Sequence, residues 1–188
     1  MSNTLALETS LPTQQLFRNA AIVILASIVI GFSGQLVIPL PFTPVPIATR
    51  NSLILLMAVL LGSRRGSLAT FSFLAQAAVG LPVFAGIVGG WHMFLGPTGG
   101  YLVGYLVAAF ITGFIVEKCK ERTLMNAFIA LTIGNLIIYL FGAAFLATFV
   151  GFKQALLLGV APFLIGDALK ILASLKILEW LRWTKYKR

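Results

Sequence analysis

The chain contains a single aspartate, Asp167, placed inside an apolar run in the segment PFLIGDALK, with Lys170 three residues on. That spacing puts both side chains on one face of a helix. A charge at the centre of a membrane helix costs about 2.5 to 3.5 kcal/mol, so an intramembrane ion pair is a functional candidate by default. Pro162 suits the first helical turn, which predicts that Asp167 sits near the helix N-terminus, where the macrodipole favours an anion. Two uses are open: the charges pair only with each other so as to insert cheaply, or they read a ligand that has hydrogen-bond donors and an anionic group.

Uncharged polar residues inside other apolar runs add candidates: Gln76 in one, and Asn135 followed one turn later by Tyr139 in another. Each serves either as interhelical glue or as part of a ligand's hydrogen-bonding shell. The stretch GLPVFAGIVGGWHMFLGPTGGYL holds six glycines from Gly86 to Gly100 together with Phe84, Trp91, Phe94 and Tyr101. Glycines let a loop fold tightly, and aromatic rings supply flat apolar surface with an occasional polar handle. It reads as a cap on a pocket, against the alternative of an interfacial aromatic belt. His92 is the one histidine and Cys119 the one cysteine, so neither a metal site nor a disulfide is expected. GPTGGY lacks the Lys-Ser/Thr ending of a phosphate loop.

The elements that position these residues follow from composition. Of the 188 residues 59% are hydrophobic and only 10% charged, far from the roughly one-quarter charged residues of soluble domains. Apolar runs fall at 17–37, 48–61, 66–80, 99–116, 124–149 and 162–181. A spanning helix takes about 20 residues. The pattern therefore predicts an all-α integral membrane protein of six transmembrane helices over 17–182, after a polar tail at 1–16 that is not a cleaved signal and before a basic tail at 183–188. The alternation of barrel strands is missing. The second and third runs are short and flanked by IPLPFTPVPI and GLPVFAG, and irregular backbone at such places often marks a cavity.

The net charge of +9 does not form a nucleic-acid-binding face; the bases punctuate the gaps between apolar runs. Arg18, Arg64, Arg65, Lys118, Lys120, Arg122, Arg182, Lys185, Lys187 and Arg188 fall on one side if the helices alternate, against Arg50 and Lys153 on the other. The positive-inside rule then makes both termini cytoplasmic and the chain a multi-pass protein of the cell membrane, in contact with lipid, with the Gly-rich stretch outside. An enzyme is disfavoured, because general acid–base work needs a second positioned titratable group and only Lys170 offers one. A channel built on one aspartate per chain requires a symmetric oligomer.

Three segments, GLPVFAG at Gly80 to Gly86, GPTGGYLVGY at Gly96 to Tyr105 and PFLIGDALK at Pro162 to Lys170, resemble the signature segments of the BioY family, the biotin-specific S component of energy-coupling factor (ECF) transporters. The resemblance runs over nearly the whole chain from the first span onward. It implies the six-helix S-component fold, capture of biotin from outside, no cofactor of its own, and docking onto a transmembrane coupling subunit with two cytoplasmic ATPase subunits that hydrolyse ATP. Carried onto these positions, Asp167 would accept from the ureido N–H groups and Lys170 would orient Asp167 or donate to the ureido oxygen. Gln76, Asn135 and Tyr139 would complete the polar shell, while Phe84, Trp91 and Tyr101 would cover the thiophane ring and aliphatic chain. One departure concerns the alanines four apart that S components carry in the first helix for the coupling subunit: here the nearest small pair at that spacing is Ser27 and Gly31.

Overall fold

The computed structural model describes the backbone of residues 3–35, 37–38, 47–84, 86 and 88–185, and the side chains of 13–35, 48–84, 86 and 88–185. Six helices follow in order: α1 (Asn3–Ser33), α2 (Arg50–Ala78), α3 (Gly99–Lys118), α4 (Leu124–Val150), α5 (Phe152–Gly159) and α6 (Leu164–Trp180). Short 3-10 turns occupy Trp91–Phe94, Ala161–Phe163 and Trp183–Lys185. Between α1 and α2 the two-residue strands β1 (Val37–Ile38) and β2 (Ile47–Ala48) pair antiparallel. Most of the Pro-rich stretch at 38–47 lies outside the described residues, as do 186–188 of the basic tail.

Among the described residues, five stretches are long and apolar enough to cross a membrane: Thr13–Ser33, Arg50–Ala78, Gly99–Lys118, Leu124–Val150 and Phe152–Trp180. The expected six differs because the second and third apolar runs form one continuous stretch, α2, broken at a single residue. Gly62 has φ 84 and ψ 177, far from helical values. The two limbs fold back on each other there. A Cβ on Gly66 would stand 2.8 Å from the Cα of Ala58, whereas residues eight apart in a straight helix lie about 12 Å apart. Likewise the Arg50 guanidinium sits over the ring of Phe73, 5.5 Å from its centroid. The last span is also composite, because α5, a 3-10 turn carrying Pro162, and α6 share it. Pro162 lacks the N–H that a continuous helix would need, so the helix restarts after it.

The turn at Gly62 is held by a carboxylate. Glu117, near the end of α3, accepts from the Ser63 backbone N–H at 2.9 Å and from its hydroxyl at 2.5 Å, capping the second limb of α2. Small residues four apart on α3, Gly100, Gly104, Ala108 and Thr112, let α4 approach closely: a Cβ on Gly104 would stand 3.2 Å from the Cα of Ile138, and one on Gly100 only 2.4 Å from the Phe141 carbonyl oxygen. Packing of this kind holds helices together in lipid, where burial from water supplies no drive. The core therefore sits where α2, α3 and α4 meet, with Ile54, Leu55, Phe73, Ala108, Leu131 and Ile138 fully or almost fully buried.

Helix α1 begins at Asn3, whereas the apolar pattern places a mobile tail at 1–16. Hydrophobicity locates what enters lipid, not where the helix starts, and Leu, Ala, Glu and Gln in this segment are all good helix formers. At the other end Trp183 is buried at 4% exposure, with the Arg122 guanidinium 5.4 Å from its ring centroid. The start of the basic tail is thus packed onto the bundle. Ser27 and Gly31 of α1 face inward as well. Ser27 is fully buried and its hydroxyl accepts from Gln76 Nε2 at 2.8 Å, while a Cβ on Gly31 would meet Val83 at 3.2 Å. That small pair contributes to the bundle's own packing.

Candidate functional site

Three helices, α2, α4 and α6, each turn polar side chains toward one point. Asp167 lies in the first turn of α6, after the turn that holds Pro162, and is 3% exposed. Lys170, one turn on, donates from Nζ to Asp167 Oδ1 at 2.7 Å and to the Ala48 carbonyl at 2.8 Å. From the first turn of α2, Asn51 Nδ2 donates to both carboxylate oxygens at 3.1 Å. From α4, Asn135 Nδ2 donates to Oδ2 at 3.3 Å, and the Tyr139 hydroxyl, one turn later, donates to the same oxygen. A carboxylate offers about four lone-pair sites. Those of Asp167 are all engaged, by one cation and three neutral donors.

The arrangement answers the cost of burying a charge. An unpaired carboxylate in hydrocarbon would neutralise or stay in water, and here an ammonium and three polar hydrogens replace its hydration. The two amides are also oriented by it. Because an ionised carboxylate can only accept, each Asn turns its nitrogen toward Asp167 and its oxygen away. The buried oxygens Asn51 Oδ1 and Asn135 Oδ1 have no hydrogen-bond partner. Beside Asp167, then, stand two acceptors suited to N–H donors.

A cavity of about 30 Å³ opens at this cluster, lined by Asn51, Tyr101, Tyr105, Tyr139, Asp167 and Lys170 among others. Such a volume is room for roughly one or two waters. A larger guest requires its walls to part. Tyr101 and Tyr105 lie one turn apart on α3, and the Tyr101 hydroxyl is tied to the Gly159 carbonyl at 2.8 Å, which joins the α5 end to the cavity wall.

Next to Asn51 in the chain, Arg50 points inward. It is 6% exposed, and its guanidinium lies 4.8 Å from the Phe84 ring centroid, 5.5 Å from Phe73 and 6.0 Å from Tyr105. Phe73 and Phe84 pack edge-on at 5.9 Å. Among the described residues Arg50 forms no ion pair, and its Nε and Nη1 have no hydrogen-bond partner. Aromatic faces attract a cation, but they do not accept its N–H groups as a carboxylate does. A buried guanidinium in that state is a strong receptor for an anion.

Of the residues singled out by type and spacing, Asp167, Lys170, Asn135, Tyr139 and Tyr101 come together. Phe84 is buried, but against Arg50 and Phe73 and not against the carboxylate cluster. Gln76 bonds to Ser27 of α1, so it acts as interhelical glue. Trp91 sits in its 3-10 turn at 67% exposure, not over the cluster. Arg50, Asn51 and Tyr105 are the additions. Asn51 is a polar residue inside an apolar run, the same signal that marks Gln76 and Asn135, and Tyr105 follows Tyr101 by one turn. Arg50 has no such signal, since a base at the head of a span reads as a loop cation. The Gly-rich stretch is anchored by Gln35, whose Nε2 donates to the carbonyls of Pro82 at 2.8 Å and Phe84 at 2.9 Å.

Residues 3–186 match the BioY family. A probable biotin transporter BioY of Pyrococcus horikoshii is 38% identical over 139 residues, covering 74% of this chain and 82% of that protein. The biotin transporter BioY of Rhizobium etli is 35% identical over 158 residues, covering 79% and 84%. Among solved structures, the crystal structure of the S-component for biotin from an ECF-type ABC transporter superposes with a TM-score of 0.78 at 30% identity, over 90% of this chain and 93% of that one. The chain therefore belongs to the BioY family.

Proposed function

We propose that the protein is the biotin-binding S component of an ECF-type transporter and that it reads its vitamin at both ends. The observation that carries the reading is the buried Asp167 with its four donor side chains, set beside two unpartnered amide oxygens. The ureido group of biotin presents two N–H donors and one carbonyl. Asp167 and the two Asn oxygens accept the N–H groups, while Lys170 or the Tyr139 hydroxyl, released from the carboxylate, donates to the ureido oxygen. Each hydrogen bond given up inside the cluster is replaced by one to the ligand. The net gain then comes from burying the thiophane ring and from polar complementarity that an analogue without the ureido carbonyl lacks. Tyr101 and Tyr105 flank the ring.

Arg50 receives the valerate carboxylate at the other end, guided by its aromatic surround. The test is calorimetric titration of the detergent-purified protein with three ligands: biotin, its carboxamide, and the diamino acid that lacks the ureido carbonyl. Biotin binds tightly and saturably, and the diamino acid fails. Arg50→Gln weakens biotin at least tenfold, the loss of a charge-assisted hydrogen bond, yet leaves the carboxamide nearly unchanged. Equal losses for acid and amide would remove Arg50 from the carboxylate; tight binding of the diamino acid would overturn the ureido reading.

Transport follows from partners. Its energy source, on the resemblance, is a transmembrane coupling subunit with two cytoplasmic ATPases. Both termini are placed in the cytoplasm, on the concentration of Lys and Arg at one end of the bundle. With Cys119 replaced by serine so that it does not report, a cysteine at Arg64 reacts with an impermeant thiol reagent only after cells are opened. Labelling of intact cells there would reverse the orientation.

A further inference from the structure

At the end of the bundle opposite the site, Ser63, Arg64, Phe110, Phe114, Glu117 and Lys118 line a groove of about 420 Å³ between the tip of α2 and the end of α3. Its chemistry is ordered along the helix axis. Arg64 and Lys118, both exposed, stand at the rim. Phe114 and Phe110 lie about 6 and 12 Å farther into the membrane at 1.5 Å per residue. Their rings stack, with centroids 6.1 Å apart and planes 15° apart, and they are 42% and 47% exposed. The Lys118 ammonium lies 5.3 Å from the Phe114 ring centroid, so the aromatic stripe begins directly under a cation. The groove's one carboxylate is committed elsewhere, since Glu117 caps Ser63 through two hydrogen bonds.

Two cations above an apolar aromatic stripe repeat, in reverse charge, the layout of an anionic phospholipid: a phosphate at the interface and acyl chains below. We infer that this groove is a binding site for one membrane phospholipid with an anionic headgroup, its phosphate between Arg64 and Lys118 and an acyl chain along Phe114 and Phe110. Basic pockets between helix ends are the usual receptors for such headgroups. The site is separate from the biotin cluster.

The test uses the whole protein in nanodiscs of mixed phosphatidylglycerol and phosphatidylcholine, followed by native mass spectrometry of the lipid retained on release. Wild type is expected to keep one phosphatidylglycerol in preference to phosphatidylcholine. Arg64→Gln with Lys118→Gln lowers that preference about thirtyfold, as removal of two interfacial cations implies, while Lys120→Gln, a charge at the same end but outside the groove, leaves it intact. Biotin titration of each variant reports that it is folded. Retention without headgroup preference in wild type overturns the proposal with no variant needed. Loss of preference in Lys120→Gln equal to that in the double variant would make the effect a general charge effect and also overturn it, as would displacement by inorganic phosphate, which would mark a free-anion site.

Discussion

Asp167→Asn is expected to lower biotin affinity at least tenfold, and more if Lys170 is left buried without a counter-charge. The carboxylate accepts from Lys170, Asn51, Asn135 and Tyr139, and an amide can accept at only one of its two terminal atoms. Hydrogen bonds to a charged group are worth about 1.5 to 3 kcal/mol, which sets the lower bound. Breaking one side of a buried ion pair costs about 3 to 5 kcal/mol, so part of the loss will appear as a lower melting temperature. Asp167→Asn with Lys170→Met separates the two effects. The double variant regains stability because no unpaired charge remains in this cluster, but it does not regain affinity. Near-normal biotin binding by a folded Asp167→Asn protein would remove Asp167 from the site.

The second large effect concerns stability. Gly62→Ala forces a side chain onto φ 84 and ψ 177, a region that glycine alone occupies readily, at a cost of about 1 to 3 kcal/mol. The new Cβ would also lie 2.2 Å from Glu117 Oε1, so the cap on Ser63 must move and its hydrogen bonds weaken. Together these give about 3 kcal/mol or more. Gly166→Ala is the matched control. Its Cβ meets nothing within 4 Å on a helical backbone, and the change is neutral or slightly stabilising. Thermal denaturation in detergent distinguishes them, and a Gly62→Ala protein that melts with wild type would show that the turn does not hold the two limbs of α2 together.

How much of this is legible in the sequence depends on whether a signal is local. Asp167 with Lys170, and Asn135 with Tyr139, share faces by helical spacing alone, and their rarity inside apolar runs marked them. Which helices bring them together is tertiary information, and there the reading by type divided: Gln76 has the same signature as Asn135 but bonds to Ser27. Arg50 carries no local signal, because its inward direction is set by Phe73, Phe84 and Tyr105, residues 23 or more positions away. The helix count differed for a related reason. Composition separates the two apolar runs of α2, but the break between them is one glycine wide, and its fold-back rests on the contact between Gly66 and Ala58.

The hairpin at Gly62 has a mechanical consequence for the surrounding membrane. Its limbs of 12 and 16 residues are about 18 and 24 Å long, against about 40 Å for the 27-residue α4 and a hydrocarbon core of about 30 Å. One flank of the protein is thus too short for the bilayer and another too long. Lipid beside α2 must thin, or the whole body must lean toward its short side, and each response relieves part of the mismatch. A subunit built with unequal flanks therefore rests tilted toward α2, in a bilayer thinner on that side than on the side of α4.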